Sequence, residues 1–167
     1  DGTLDLLTLA GVRPLPLVAA KLTALAGLPL QCLLAVLPVA ALSLVLGGVT
    51  ALQFWAVQAA LLNTLLLSLS AGLLSSVLTS DARKAVALTL ALLAAIAGLP
   101  LLIASARSSF PGIGWTFEPA LLSPIALLSA ILPSATTAPA TPVLRGLAVQ
   151  HLLSWALLTA SVLALRA

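Results

Sequence analysis

The chain has 167 residues, of which 62% are hydrophobic and 7% are charged, and its mean hydropathy is +1.25. An ordinary soluble domain is about 45–50% apolar and about 25% charged, so this composition excludes a soluble globular protein and predicts an integral membrane protein whose solvent is the lipid bilayer. The net charge of +3 comes from basic and acidic residues scattered along the chain, which excludes a basic patch that would bind nucleic acid.

The first ten residues, DGTLDLLTLA, are more polar than the sequence that follows and have a helical period. On a helix of 100° per residue, Asp1, Asp5 and Thr8 share one narrow stripe, and apolar residues occupy the broad remainder. This pattern predicts a helix that lies in the membrane interface. Gly11 is a natural helix terminator and two prolines follow it, so residues 1–21 are expected to form a cytoplasmic helix and a turn before the first span.

Four uncharged stretches follow that are long enough to cross a membrane, which takes about 20 apolar residues. The predicted fold is an all-α, polytopic transmembrane helical bundle that forms a single domain. Pro29 and Pro38 are expected to kink the first span, and Gly47, Gly48 and Thr50 are expected to form a short turn after it. The predicted spans are residues 22–46, 51–79, 85–104 and 147–165.

The segment between the third and fourth spans, residues 105–146, contains more than half of the chain's prolines and only short apolar stretches. It is predicted to be an extracytoplasmic loop with a surface or re-entrant helix near residues 120–132, which is too short to span comfortably. A fifth span at this place is the alternative, and it would reverse the direction of the last helix.

The basic residues near the ends of the spans predict the orientation of the bundle. If the opening stretch is cytoplasmic and four spans alternate, most of the basic residues face the cytoplasm, and the inverted topology is disfavoured. The residues expected on the cytoplasmic side are Arg13, Lys21, Arg83, Lys84 and Arg166, and those expected outside are Arg107 and Arg145.

Polar and small residues in the second span predict contacts between helices. Gln58 and Asn63 are amides at membrane depth, where an unpaired polar group is costly, so each is expected to pair with a neighbouring helix or to line a substrate path. Small residues also recur at every fourth position, which predicts a ridge that another helix approaches closely. The ridge consists of Thr64, Ser68, Gly72 and Ser76.

His151 in the last span is a candidate proton relay or ligand, because histidine titrates near neutrality. No second metal-ligating residue lies close to it in the sequence, so no metal site is predicted, and the plainer interpretation is an interfacial histidine beside Trp155. Another interpretation pairs His151 with Glu118 in an intramembrane enzyme. The sequence has no hydrolase or metalloprotease motif and no glycine-rich phosphate loop, so no catalytic residue is assigned and no cofactor is expected on this chain.

Several short motifs, taken in order, resemble one family of membrane proteins. GTLDLL is followed by a proline-bearing stretch, by AAKL at the entry of a span, and then by LLAVLPVAALSLVLGGVTALQFW and LLNTLLLSLSAGLLSSVLTSDARKAVALTLAL. This order, over residues 1–104, resembles the membrane subunit of type 2 ABC exporters, which are bacterial permeases with six spans. LLSPIALLSA and QHLLSWALL resemble, more loosely, the segments before and within the last span of that family.

The resemblance implies that the opening helix is a coupling helix, which seats in a groove of a cytoplasmic ATPase subunit. Lys21 corresponds to the basic residue at the entry of the next span. The partner subunit would bind ATP and Mg²⁺, and a second permease chain, identical or different, would complete the transporter in the bacterial inner membrane. The expected docking residues are Gly2, Thr3, Leu4, Asp5, Leu6 and Leu7.

The four spans correspond to the third to sixth spans of that family. The chain begins on Asp1 and contains no methionine, so we expect it to be an internal piece of a longer protein whose first two spans lie upstream. A different interpretation, from another functional class, is a structural or assembly membrane protein whose opening helix is only an anchor.

Overall fold

The computed structural model describes residues 14–109, 122–131 and 140–165, and every regular element within these ranges is helical. The predicted interfacial helix of residues 1–10 lies outside the described residues. The helices are α1 (Pro14–Val45), α2 (Ala51–Leu78), α3 (Ala82–Ser109), α4 (Pro124–Ile131) and α5 (Ala140–Ala164).

Four of the described helices, α1, α2, α3 and α5, are long and apolar enough to cross a membrane. This confirms the predicted all-α fold and supports a multi-pass membrane protein. Helices suit the bilayer because each backbone N–H and C=O group is bonded within its own segment and needs no water. With its eight residues, α4 is about 12 Å long, which is shorter than a span requires. The alternative of a fifth span extends into residues outside the described ranges and stays a prediction.

The first spanning helix begins earlier than the sequence predicts. Residues 14–21, expected to belong to the cytoplasmic helix and turn, are the first turns of α1. Pro14 and Pro16 lie in the first turn, where backbone N–H groups have no partner inside the helix, so the missing N–H of proline costs nothing there. These two prolines therefore lie at the start of a helix. Pro29 and Pro38 lie inside α1, as predicted.

The helix that forms the third span is also longer than predicted. α3 covers residues 82–109, where the sequence predicts 85–104, because the polar residues at both ends of the apolar stretch, Arg83 and Arg107 among them, continue the helix. The Arg83 backbone N–H donates to the Asp81 carboxylate at 3.0 Å, which satisfies one free N–H of the first turn. Pro100 lies inside the helix.

The last helix begins at Ala140, whereas the predicted span begins at residue 147. Pro142 lies in its first turn, where proline favours a helix start. The predicted loop of residues 105–146 therefore contains the ends of two long helices. It also contains α4, which falls within the range predicted for a short helix, residues 120–132. The extracytoplasmic position of α4 stays a prediction.

A tight turn connects α1 and α2, as predicted. Gly47 has a φ of +74°, a left-handed conformation that glycine adopts without strain. Thr50 then caps α2: its hydroxyl accepts a hydrogen bond from the Gln53 N–H at 3.3 Å, and the Gln53 side-chain oxygen accepts one from the Thr50 N–H at 2.9 Å. This reciprocal pair is a capping box, which fixes where α2 begins.

The central helix is α2, which contacts each of the other four described helices. α5 runs parallel to α2, because early residues of α2 contact early residues of α5 and later residues contact later ones. Ala60 lies in one apolar cluster with Val143, and Leu73 lies in another with Leu158. A parallel pair requires that the chain crosses back once between the two helices. α3 makes that crossing, and α4 stays at one end.

Both ends of the bundle carry basic residues, three at one end and, at the other, Arg107 and Arg145. The basic end is defined by Lys21, Arg83 and Lys84, and the α4 end by α4 and the turn between α1 and α2. Each end has a small buried apolar cluster. The cluster at the basic end consists of Val18, Leu73 and Leu158, and the cluster at the α4 end consists of Ala60, Leu127 and Ile131.

Candidate functional site

The predicted docking residues, Gly2, Thr3, Leu4, Asp5, Leu6 and Leu7, lie outside the described residues, so their contact with a partner stays a prediction. The described part of the chain offers two other polar features. One is a hydrogen-bonded contact between α2 and α5, and the other is a cavity at the α4 end.

The contact between α2 and α5 is centred on an amide in the middle of α2. Asn63 is 8% exposed, and its side-chain N–H group donates to the Leu147 carbonyl at 3.1 Å. Its side-chain oxygen lies 3.0 Å from Nδ1 of His151. Leu147 and His151 are one helical turn apart on α5, so the amide bridges that turn. The polar group that is costly at membrane depth is thereby bonded through both its nitrogen and its oxygen.

The partners of His151 determine which ring nitrogen carries the proton. The Trp155 indole N–H donates to Nε2 of His151 at 3.0 Å. An indole N–H can only donate, so Nε2 must accept with its lone pair. The proton of the neutral ring is then on Nδ1, and it is donated to the Asn63 oxygen. The chain of bonds from Trp155 through His151 and Asn63 to Leu147 thus favours the Nδ1–H tautomer of the ring.

This contact holds α2 and α5 together. Both ring nitrogens of His151 take part in it or in the bond from Trp155. Within the described ranges, no group of three His, Cys, Asp or Glu side chains could hold a metal ion. Glu118, the partner that an intramembrane enzyme would need, lies outside the described residues.

The other predicted amide, Gln58, faces a different part of the protein. Its side chain is 7% exposed and lines a cavity near the turn between α1 and α2. Among the described residues its amide has no hydrogen-bond partner. The structure therefore separates the two amides: Asn63 joins α2 to α5, whereas Gln58 borders empty space.

The predicted ridge of small residues contacts two different helices. A Cβ atom added at Gly72 would lie 4.0 Å from the Thr89 methyl group of α3, so α3 passes close to this position. The Ser76 hydroxyl accepts a hydrogen bond from the Lys21 ammonium of α1 at 3.1 Å. Thr64 and Ser68 donate instead to carbonyl groups of their own helix. Gly72 thus lies close to α3 and Ser76 contacts the start of α1, whereas a packing role for the whole ridge stays a prediction.

Ser123 ties α4 to α3, a contact that sequence reasoning missed. Its hydroxyl donates to the Ala97 carbonyl at 2.8 Å and accepts from the Ala126 N–H at 3.4 Å. A serine followed by Pro124 is a helix-start signal that could have identified this cap.

Four buried serines of α2 and α5 were also missed. Each donates its hydroxyl to a carbonyl of its own helix, so its polar group has a partner. Because the side chain is also small, it allows a neighbouring helix to approach closely. They are Ser70, Ser75, Ser154 and Ser161.

Comparison of the chain with protein-family models, with curated proteins and with solved structures found no match.

The tautomer of His151 can be observed directly. We expect ¹⁵N NMR spectra of the protein in lipid nanodiscs, recorded on the neutral form of the ring, to place its proton on Nδ1. Trp155→Phe removes the donor to Nε2, so the Nε2–H form should become populated. Trp55→Phe is a matched control, because Trp55 packs edge-on against Phe54 instead. A wild-type spectrum with the proton on Nε2 would contradict the assigned network.

The ridge at Gly72 can be tested by size. Gly72→Leu should lower thermal stability in detergent, because the larger side chain must push Thr89 and α3 away, and overpacking of this kind costs about 1–3 kcal/mol. Gly72→Ala should be tolerated, since 4.0 Å is an ordinary contact. Gly27→Leu is the matched control, because nothing lies within 4 Å of a Cβ atom there. If both leucine variants are equally stable, the ridge does not seat α3.

Proposed function

We propose that this chain is a permease subunit of a type 2 ABC exporter, which moves a substrate outward when a partner subunit hydrolyses ATP. Support comes from the order of motifs in residues 1–104 and from four helices long and apolar enough to span a membrane. The observation that carries the proposal is the continuity of α1, which runs from Pro14 to Val45 without a break. This helix gives the expected docking segment a direct connection to the membrane domain.

The connection is short because α1 begins so early. Only residues 11–13 separate the expected docking segment, residues 1–10, from the first turn of α1. Three residues reach at most about 11 Å when extended. Movement of a docked ATPase subunit would therefore be passed to α1 with little slack, whereas a long flexible loop would absorb it.

Contacts near the start of α1 pass such movement on to α2. Val18 is buried in a cluster with Leu73, and Lys21 donates to Ser76. The rest of α1 is largely exposed and contains Pro29 and Pro38. We therefore propose that closure of the ATPase subunits tilts α1 about its contact with α2, which is a rigid-body change of the kind that alternating access requires.

The charges of the bundle agree with docking at the same end. Lys21, Arg83 and Lys84 are exposed at the basic end, and no ion pair forms with an acidic side chain among the described residues. Basic residues at the ends of spans favour the cytoplasmic side. Since α1 also begins at this end, the docking segment, the basic end and the ATPase subunit would meet in the cytoplasm, below a bacterial inner membrane.

The outer surface suits a larger assembly in the bilayer. α1 and α3 expose many large apolar side chains, a surface that fits lipid, further permease spans or a second permease chain. ATP and Mg²⁺ would belong to the ATPase subunit, because this chain has no phosphate loop. Examples of the exposed residues are Leu28, Val39, Leu90 and Leu102.

Docking can be tested through Asp5 in the full-length parent protein. Asp5→Ala should weaken binding of the purified ATPase subunit to the permease in nanodiscs, because a charge-assisted hydrogen bond to a basic groove contributes about 1.5 to 3 kcal/mol. This corresponds to a roughly ten- to hundredfold loss of affinity. Leu4→Asp combined with Leu7→Asp should abolish ATP hydrolysis linked to transport, since a buried unpaired carboxylate is costly.

Asp1→Ala is the matched control, because it removes the same charge from the same stripe outside the expected docking residues. It should leave the affinity nearly unchanged, and all variants must be shown to remain inserted in the membrane. Equal affinity of the wild-type and Asp5→Ala proteins would argue against docking through Asp5. If no ATPase subunit binds or co-purifies at all, the structural or assembly function is favoured instead.

A further inference from the structure

A cavity of about 160 Å³ lies at the α4 end of the bundle. It is enclosed by the last turns of α1, the turn that follows, the first half of α2 and the end of α4, and it is partly open to the surroundings. Most of its wall is apolar, with Ala40, Phe54, Val57 and Ile131 among the lining residues. None of the described residues that line it is charged.

Two of the three polar side chains among the described wall residues already have partners. Ser43 donates its hydroxyl to the Ala40 carbonyl at 2.6 Å. The Gln53 side-chain oxygen accepts from Thr50, and its N–H group donates to the Ile131 carbonyl at 3.5 Å. These groups are used to cap α2 and to hold α4, so they belong to the structure of the wall.

Gln58 is the exception. Its side chain is 93% buried (7% exposed), it lines the cavity, and no described residue bonds to its amide. An amide offers two N–H donors and one acceptor oxygen. Leaving such a group buried without a partner costs free energy. The Gln58 side chain lines the cavity, so a molecule in the cavity could supply the missing partner.

The wall defines the chemistry of that occupant. Water is stable in a cavity when two to four polar partners surround it, and here one amide stands in an apolar wall. An apolar cavity of about 150 Å³ accommodates a benzene-sized molecule. An ion would lack a counter-charge in this wall and would be destabilised. The occupant that satisfies all three conditions is neutral, ring-sized and equipped with one hydrogen-bonding group.

We propose that this cavity is a binding site for a neutral small molecule of that kind, whose polar group pairs with the Gln58 amide. This inference goes beyond the proposed transport function and does not depend on docking of an ATPase subunit. It gives Gln58 a binding role that Asn63, already bonded to α5, does not share.

The probes for the experiment are benzyl alcohol and toluene, which have the same ring but differ in one hydroxyl group. Phe54 lines the cavity, so its ¹⁹F NMR signal, in protein labelled with 4-fluorophenylalanine and assigned with Phe54→Leu, reports occupancy. In nanodiscs we expect benzyl alcohol to shift this signal saturably and to bind roughly tenfold more tightly than toluene, which is the contribution of one hydrogen bond. Probe concentrations are corrected for partition into the lipid.

Two variants separate the proposal from its alternatives. Gln58→Leu keeps the size of the side chain and removes the amide, so the preference for benzyl alcohol should disappear. Val57→Phe fills the cavity, so saturable binding of both probes should be lost while the protein remains folded by circular dichroism.

A preference unchanged in Gln58→Leu would overturn the role of Gln58. Equal binding of both probes to the wild-type protein would overturn the proposal in favour of a purely apolar occupant, such as a lipid chain. Shifts that never saturate would reduce it to partition into the membrane.

Discussion

The hydrogen bonds of Asn63 are the interaction on which the arrangement of the bundle depends. In a chain with 7% charged residues, the apolar faces of the helices are nearly interchangeable, and lipid is as good a neighbour as leucine. A buried amide removes this freedom because it must meet partners at fixed positions. Asn63 meets Leu147 and His151, which sets the register and the parallel direction of α5 against α2. The buried serines then allow the two backbones to stay close.

The helices of the bundle differ in how extensively they pack. α2 and α5 have the most extensive contact of any two described helices, whereas α1 is mostly exposed and is held near its start by Val18 and Lys21. In the proposed permease, the pair of α2 and α5 would be the fixed body and α1 the moving element. The cavity beside Gln58 lies between these two parts, so an occupant there would sense any movement of the last turns of α1.

Composition predicted the fold class and the four spanning helices, because a long uncharged apolar stretch has few alternatives to a membrane helix. The helix starts were predicted less well. Pro14 and Pro142 were interpreted as part of a turn and of a loop, yet both lie in a first helical turn, a position where proline is favoured. The preference of proline for the first helical turn could have predicted both starts. The predicted spans instead began just after the last charged residues, Lys21 and Arg145.

The polar contacts could be predicted only in part. Asn63 and Gln58 looked alike in the sequence, as amides at membrane depth, but one is bonded and the other borders a cavity. The difference lies in which helix faces each residue, and periodicity within α2 carries no information about α5. His151 is 88 residues from Asn63, so no local pattern connects them. The docking residues, by contrast, came from resemblance, and the described part of the structure does not reach them.

The central claim is that Asn63 and His151 stabilise the bundle together, and a double-mutant cycle in lipid measures this directly. The free energy of unfolding is determined for the wild-type protein, for Asn63→Leu, for His151→Phe and for the double variant; bonds from Asn63 to Leu147 and from His151 to Trp155 cancel in the cycle. The account predicts a coupling of at least about 0.6 kcal/mol, the average for a hydrogen bond between membrane helices. The control is Thr159→Val, because the Thr159 hydroxyl bonds within α5. The losses of stability caused by Asn63→Leu and Thr159→Val should be additive. Additive effects of Asn63→Leu and His151→Phe would contradict the account.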